Sequence, residues 1–208
     1  MDTRFATITP TRGDRPLFDA FCKYQLSKMN VMPTRSYFID YEPKDDKVDL
    51  IPRLKHGIEL AKADGIDLVF VIENDDSYGS DYFDNIPFEA DFIGEQITTY
   101  YNLRNNTYQE FEHRNRSSLF TTGFRISALD GFKWPADDYR NVDVALWAAN
   151  QKKRIAWRKT GAIGIKHNCG MTGGSFHTKR MKNVDKDWEW LQEHVSPEAY
   201  GFYKTLKL

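Results

Sequence analysis

Glu73-Asn74-Asp75-Asp76 places three carboxylates in four consecutive positions. Side chains so close repel one another unless something positive joins them. A divalent cation with a diphosphate is the natural neutraliser, because hard cations take carboxylate oxygens together with substrate phosphates. The plainer alternative is a solvated acidic turn. The preceding run, Leu68-Val69-Phe70-Val71-Ile72, favours chemistry. It is wholly apolar, is punctuated at its start by Gly65 and Asp67, and reads as a buried strand. The acids then fall at the carboxyl end of that strand, the edge where open α/β sheets bind ligands.

Other residue types fit the same chemistry. Arg12 and Arg15 flank a helix that starts near Pro16. Helix N-terminal amides plus two guanidiniums can hold an anion, though a capped helix with surface arginines explains them equally. His167 follows strand-like Ile163-Gly164-Ile165 and precedes a glycine-rich stretch. A neutral imidazole can join carboxylates around a metal, against the alternative of a surface or core histidine. His177 could instead meet phosphate or sugar. Gly170, Gly173 and Gly174 suit a loop closing over a ligand, or an ordinary flexible loop.

The elements needed to position these groups can be read along the chain. Phe5 to Thr9 predicts a strand, ending in a turn-rich loop over residues 10–16. The helix from Pro16 carries Leu17, Phe18, Phe21 and Leu26, and proline suits its first turn. Ser36 to Asp40 predicts a second strand. Pro52 is expected to open a helix with Leu54, Ile58 and Ala61 on one face, in which Gly57 marks a close backbone approach. Strand, helix, strand, helix, strand over the first 73 residues is the rhythm of a parallel α/β sheet. Strands are then expected over 91–101, 107–113 and 117–129, a helix from about Val142, short strands over 154–157 and 162–165, and a helical tail interrupted at Pro197.

Composition narrows the class. With 208 residues, 40% hydrophobic and 14% aromatic, one globular domain is expected. A formal net charge of -1 advertises neither nucleic acid nor membrane globally. Cys22 and Cys169, the two cysteines, form no framework or CxxC, which suits a reducing compartment. The N-terminal residues lack an apolar signal region, and no apolar run is long enough for a membrane span. The expected location is the cytoplasm, with no membrane and no obligate protein partner.

Three landmarks carry a resemblance: Thr9-Pro10-Thr11 after strand one, Glu73-Asn74-Asp75-Asp76 after the central strand with Tyr78 and Tyr82 beyond it, and Asn141-Val142-Asp143 opening a later helix. In this order they resemble the GT-A glycosyltransferases, in particular the family 2-like inverting enzymes, over roughly residues 4–177. The resemblance implies an α/β, Rossmann-like GT-A fold with a central, mostly parallel mixed sheet flanked by helices. It implies one domain over residues 1–208, with a nucleotide-binding half to about 100 and an acceptor-side half beyond. Thr9, Pro10, Thr11 and Arg15 would cradle the nucleotide, Asp40 would accept from base or ribose, and Arg53 would lie near base or diphosphate. Asp76 and His167 would hold Mn²⁺ or Mg²⁺. Asp75 or Glu73 would reach the ion through water or orient the donor, with Asn74 beside them. Asp143 would be the general base of an inverting transfer from a nucleoside-diphosphate sugar, expected to be a UDP-sugar. Two positions depart from the pattern. Asn74 stands where many relatives have Asp, and Val142-Asp143 stands for Glu-Asp, which leaves Asp137 and Asp138 as nearby rivals.

Two other functions compete: a nucleotidyltransferase, for which Arg12-Gly13-Asp14-Arg15 is a faint phosphate loop, and a non-catalytic nucleotide-sugar-binding module. The resemblance implies a hydroxyl acceptor. Basic clusters at Arg114/Arg116, Lys152/Lys153/Arg154 and Lys179/Arg180/Lys182 make DNA carrying 5-hydroxymethylated pyrimidines one candidate, with an ordinary basic surface as the alternative.

Overall fold

The expected opening rhythm is realised by Phe5–Pro10 (β1), Pro16–Leu26 (α1), Arg35–Ile39 (β2), Leu50–Ala63 (α2) and Leu68–Val71 (β3). The computed structural model describes residues 4–42, 47–167 and 179–206. Phe92–Gly94 (β4), Ile97–Asn102 (β5), Thr107–Glu112 (β6) and Gly123–Arg125 (β7) follow. Val142–Ala149 (α3), Ile155–Trp157 (β8), Ile163–Lys166 (β9), Asn183–Val184 (β10), Glu189–His194 (α4) and Pro197–Thr205 (α5) complete the described elements.

The main sheet has six strands in the order β2-β1-β3-β7-β4-β8. β1 is parallel to β2 and β3, β7 is antiparallel to both β3 and β4, and β8 is parallel to β4. All strands but β7 therefore run the same way, and the ends of β1, β3, β4 and β8 share one edge. A second, four-stranded sheet has the order β10-β6-β5-β9. It is tied to the first by a backbone bridge between Ser77 and Ile163, with amide-to-carbonyl distances of 2.9 and 3.0 Å.

Periodicity places the core. α1 buries Phe18, Phe21, Cys22, Gln25 and Leu26, a stripe at helical spacing. α2 buries Ile51, Leu54, Ile58 and Ala61 against β1. Gly57 is the close approach that the sequence indicates. A Cβ there would sit 2.4 Å from Cγ2 of Ile8. Gly57→Ala should gain about 1 kcal/mol of helix propensity and lose about 1–3 kcal/mol to overpacking. The expected net effect is a lower urea midpoint at an unchanged slope. A raised midpoint would show that Ile8 repacks freely.

Three expectations are corrected. Residues 91–101 are not one strand. The chain crosses from the first sheet (β4) to the second (β5) at Glu95-Gln96, where the Glu95 amide donates to Ser117 Oγ and the Glu95 carboxylate accepts from Thr160. Residues 117–129 form only the short β7 between two 3₁₀ turns, Leu119–Thr121 and Ile126–Leu129. Thr122 Oγ1 donates to the Ser118 carbonyl at 2.7 Å, the local side-chain competition that draws such residues out of a ladder. α2 starts at Leu50, so Pro52 lies inside its first turn rather than opening it.

Candidate active site

The acidic turn sits at the end of β3 and is held from four directions. Asp76 Oδ1 accepts from the Ile165 amide at 2.7 Å. Gln25 Nε2 donates to the Asp76 carbonyl at 3.0 Å, and Gln25 Oε1 accepts from the Tyr78 amide at 2.9 Å. Tyr203 Oη donates to the Asp75 carbonyl at 3.2 Å. The Glu73 amide donates to Tyr78 Oη at 3.0 Å. Gln25 and Tyr203 were missed by sequence reasoning. For Gln25 the signal was present, since it is a polar residue continuing the buried stripe of α1.

One oxygen each from Glu73, Asp75 and Asp76 falls within a 4.8 Å span. Their exposures differ: Glu73 and Asp75 are half-buried, whereas Asp76 is 0% exposed and its Oδ2 has no hydrogen-bond partner. His167 Nε2 lies 2.7 Å from Asp75 Oδ2. Arg15 Nη1 lies 2.7 Å from the same oxygen and 3.2 Å from the same nitrogen. The Phe18 ring stacks on His167 at 4.7 Å. β9 delivers this histidine because its pairing with β5 and its bridge to Ser77 carry the chain past the acidic turn.

Asn74, the departure from the acidic pattern, has a structural reason. Its Oδ1 accepts from Arg15 Nη2 at 2.9 Å while its Nδ2 donates to Asp19 Oδ1 at 2.6 Å. An aspartate here would face the Asp19 carboxylate with no proton to share. The amide ties the acidic turn to α1 without adding charge.

The electrostatics follow from burial and neighbours. Burial works to raise the Asp75 carboxyl, but the His167 hydrogen bond and the charges of Arg15 and Lys166 outweigh it and hold it below the usual range. Burial raises Glu73, opposed by Lys166. It raises Asp76 further, again against Lys166. Burial also acts to lower Lys166, but the charges of Asp76 and Glu73 keep it raised and therefore cationic. Lys166 Nζ rests 5.0 Å from the centre of the Tyr100 ring.

A cleft opens beside the turn, lined by Pro10, Thr11, Arg12, Arg15, Asp49, Arg53, Glu73, Asn74 and Asp75 among others. Thr9 is buried beside the Cys22 thiol and is not among the cleft's lining residues. Asp40 is exposed and lies outside the lining. Arg53 is 1% exposed. It donates to the carbonyls of Thr11, Ile39 and Tyr41 and to Asp49 Oδ2, at 2.6 to 2.8 Å. It binds the ends of β1 and β2 together and thereby shapes the cleft.

Asp143 stands in the first turn of α3, with Arg116 donating to its Oδ2. Burial raises its carboxyl, opposed by Arg116 and by backbone amides. Its negative charge is one of those that raise the Glu73 carboxyl. Asp137, the rival base, is instead paired with Lys55 at 2.9 Å on the surface. Two arginines counted toward a DNA-binding surface are engaged: Arg116 by Asp143, and Arg154 by Asp91 at 2.7 Å. His177 and the glycines at 170, 173 and 174 lie outside the described residues.

No protein-family model matches the sequence, and no curated protein is significantly similar to it. Solved structures are similar in fold. The chain aligns with S. aureus TarS 1–349, solved in complex with UDP-GlcNAc, at a TM-score of 0.56 and 10% identity. The alignment covers 82% of this chain and 61% of that one, so the chain spans about three fifths of the TarS fragment. A nucleoside-diphosphate-sugar pyrophosphorylase from Vibrio cholerae RC9 aligns at a TM-score of 0.38 and 12% identity, over 79% of this chain and 74% of that one. That second value is too low to bear on the fold. The sheet order and the likeness to TarS define a Rossmann-like α/β fold of the GT-A type. Among the described residues, no helix is long and apolar enough to cross a membrane.

Proposed function

We propose that the chain is an inverting glycosyltransferase, taking a sugar from a nucleoside-diphosphate donor, with a UDP-sugar as first candidate, to a hydroxyl acceptor. The observation that carries this reading is the meeting, at one sheet edge, of Asp75, Glu73, Arg15 and His167 from three distant segments. The TarS fold, solved with a nucleotide sugar, supports it.

The residues present fit a hard divalent ion. Three carboxylates share a 4.8 Å span, and an imidazole touches one of them. Oxygen donors with one imidazole suit Mn²⁺ or Mg²⁺. We assign the contact to Asp75 and His167, with Glu73 beside them. Asp76 has one oxygen committed to the Ile165 amide, and it supports the turn from beneath. When bound, the ion would neutralise charge gathering on the departing diphosphate. Arg15 adds a guanidinium fork suited to phosphate oxygens. Asp143 takes the acceptor proton, held in orientation by Arg116. A base on the face opposite the leaving group gives inversion.

The test is incubation with a panel of nucleoside-diphosphate sugars, and separately with nucleoside triphosphates plus sugar phosphates, with and without Mn²⁺, reading free nucleotide, pyrophosphate and the mass of candidate acceptors. Hydroxymethylcytosine DNA belongs among the acceptors. Nucleoside diphosphate should appear only when the ion is present. Release of pyrophosphate from a nucleoside triphosphate and a sugar phosphate would move the chain to the nucleotidyltransferases. Nucleotide release from none of the donors would overturn the transferase reading.

A further inference from the structure

Arg15 Nη1, Asp75 Oδ2 and His167 Nε2 form a closed triangle with sides of 2.7, 2.7 and 3.2 Å. The guanidinium thus lies where an ion bridging the same oxygen and nitrogen would lie. It is not loosely held. Its second nitrogen is fixed by Asn74 Oδ1 at 2.9 Å, and its carbon lies 5.5 Å from the centre of the Phe18 ring.

We propose that Arg15 is a built-in competitor for the divalent cation, so that ion and donor diphosphate enter together: the ion takes Asp75 and His167 as the guanidinium turns to the diphosphate. This rests on the proposed donor chemistry and adds an order of events to it. Counting charges supports the coupling. Glu73, Asp75 and Asp76 face Arg15 and Lys166, with the carboxylates of Asp14, Asp19 and Asp143 acting on the same cluster. The ion alone would add two positive charges beside Lys166 and a guanidinium displaced from its carboxylate. Ion and sugar diphosphate together restore the original balance, because a diphosphate diester carries two negative charges. Coupling between two ligands is reciprocal, so the donor must favour the ion by the factor the ion favours the donor.

The experiment is calorimetric titration of Mn²⁺ into the whole chain, alone and with saturating UDP, for wild type, Arg15→Gln and Arg15→Lys. Wild type should bind Mn²⁺ about tenfold more tightly with UDP than without, within the range usual for such coupling. Arg15→Gln should bind Mn²⁺ alone about tenfold more tightly than wild type, and the gain from UDP should be smaller than in wild type, leaving what the ion itself contributes through the diphosphate. Arg15→Lys, which keeps the charge but loses the fork, should fall between them and guards against a misfolded glutamine variant. Unchanged or weaker binding of Mn²⁺ alone in both variants would overturn the proposal. If the variants gain Mn²⁺ affinity while UDP binds none of the proteins, the competition stands and the nucleotide-sugar reading falls.

Discussion

Asp143→Asn is expected to slow sugar transfer by about 10²–10⁴-fold, the usual contribution of a positioned general base. Asparagine keeps the shape and an acceptor oxygen for Arg116, so the fold and the helix start should survive. It cannot take a proton from the acceptor. Nucleotide binding should be unchanged, because Asp143 does not line the cleft beside Asp75. The loss therefore belongs in kcat, with little change in nucleotide affinity. The pH profile gives a second signature. Burial raises this carboxyl above its ordinary value of 3.8. The base acts only when deprotonated, so the rate should fall as pH drops through the raised value. Arg116→Met removes the charge that opposes the shift, and should move this acid limb to higher pH. Transfer by Asp143→Asn at wild-type rate would remove Asp143 from the chemistry and return attention to Asp138.

The second large effect separates two adjacent carboxylates. Asp75→Asn should cost at least about 10² in kcat/KM, comparable to losing a main electrostatic contact to the developing charge. It should also weaken joint binding of Mn²⁺ and UDP, since the oxygen shared by Arg15 and His167 loses its charge. Asp76→Asn should do less to binding. It retains an oxygen for the Ile165 amide and sits with no exposure to the cleft. Asp76→Ala, by contrast, strands that amide and should cost about 1–3 kcal/mol of stability, read as a lower melting temperature. If Asp76→Asn abolishes ion binding while Asp75→Asn leaves it intact, the roles are reversed.

The sequence was most legible where local signals agreed. The apolar run through Ile72 stops at the acids, and Pro16 pins the start of α1, so β3, the turn and the helix facing it could all be read directly. Pairings across long separations were hidden. Nothing local to Asn74 announces Asp19, 55 residues away, so its amide looked like a weakened aspartate rather than a link between charges. Arg53 was legible as a residue near the cleft. Its attachment to three carbonyls of β-strand ends and their loops depends on how β1 and β2 lie side by side. The stretch after residue 91 was hardest, because two sheets share it and the chain changes sheets within two residues. Hydrophobic alternation there reports burial without saying in which layer.

The link from Ile165 to Asp76 spans 89 residues of sequence, and the neighbouring bridge from Ser77 to Ile163 doubles it. During synthesis, the early strands and helices can assemble while the ribosome is still making the later ones. The acidic turn must nonetheless wait for β9 before its last carboxylate finds a partner. A nascent chain lacking that strand would hold the cleft walls but neither the histidine nor a settled loop. Under the proposed function, activity would therefore have to await β9, and a chain that ends just before β9 should bind neither Mn²⁺ nor UDP.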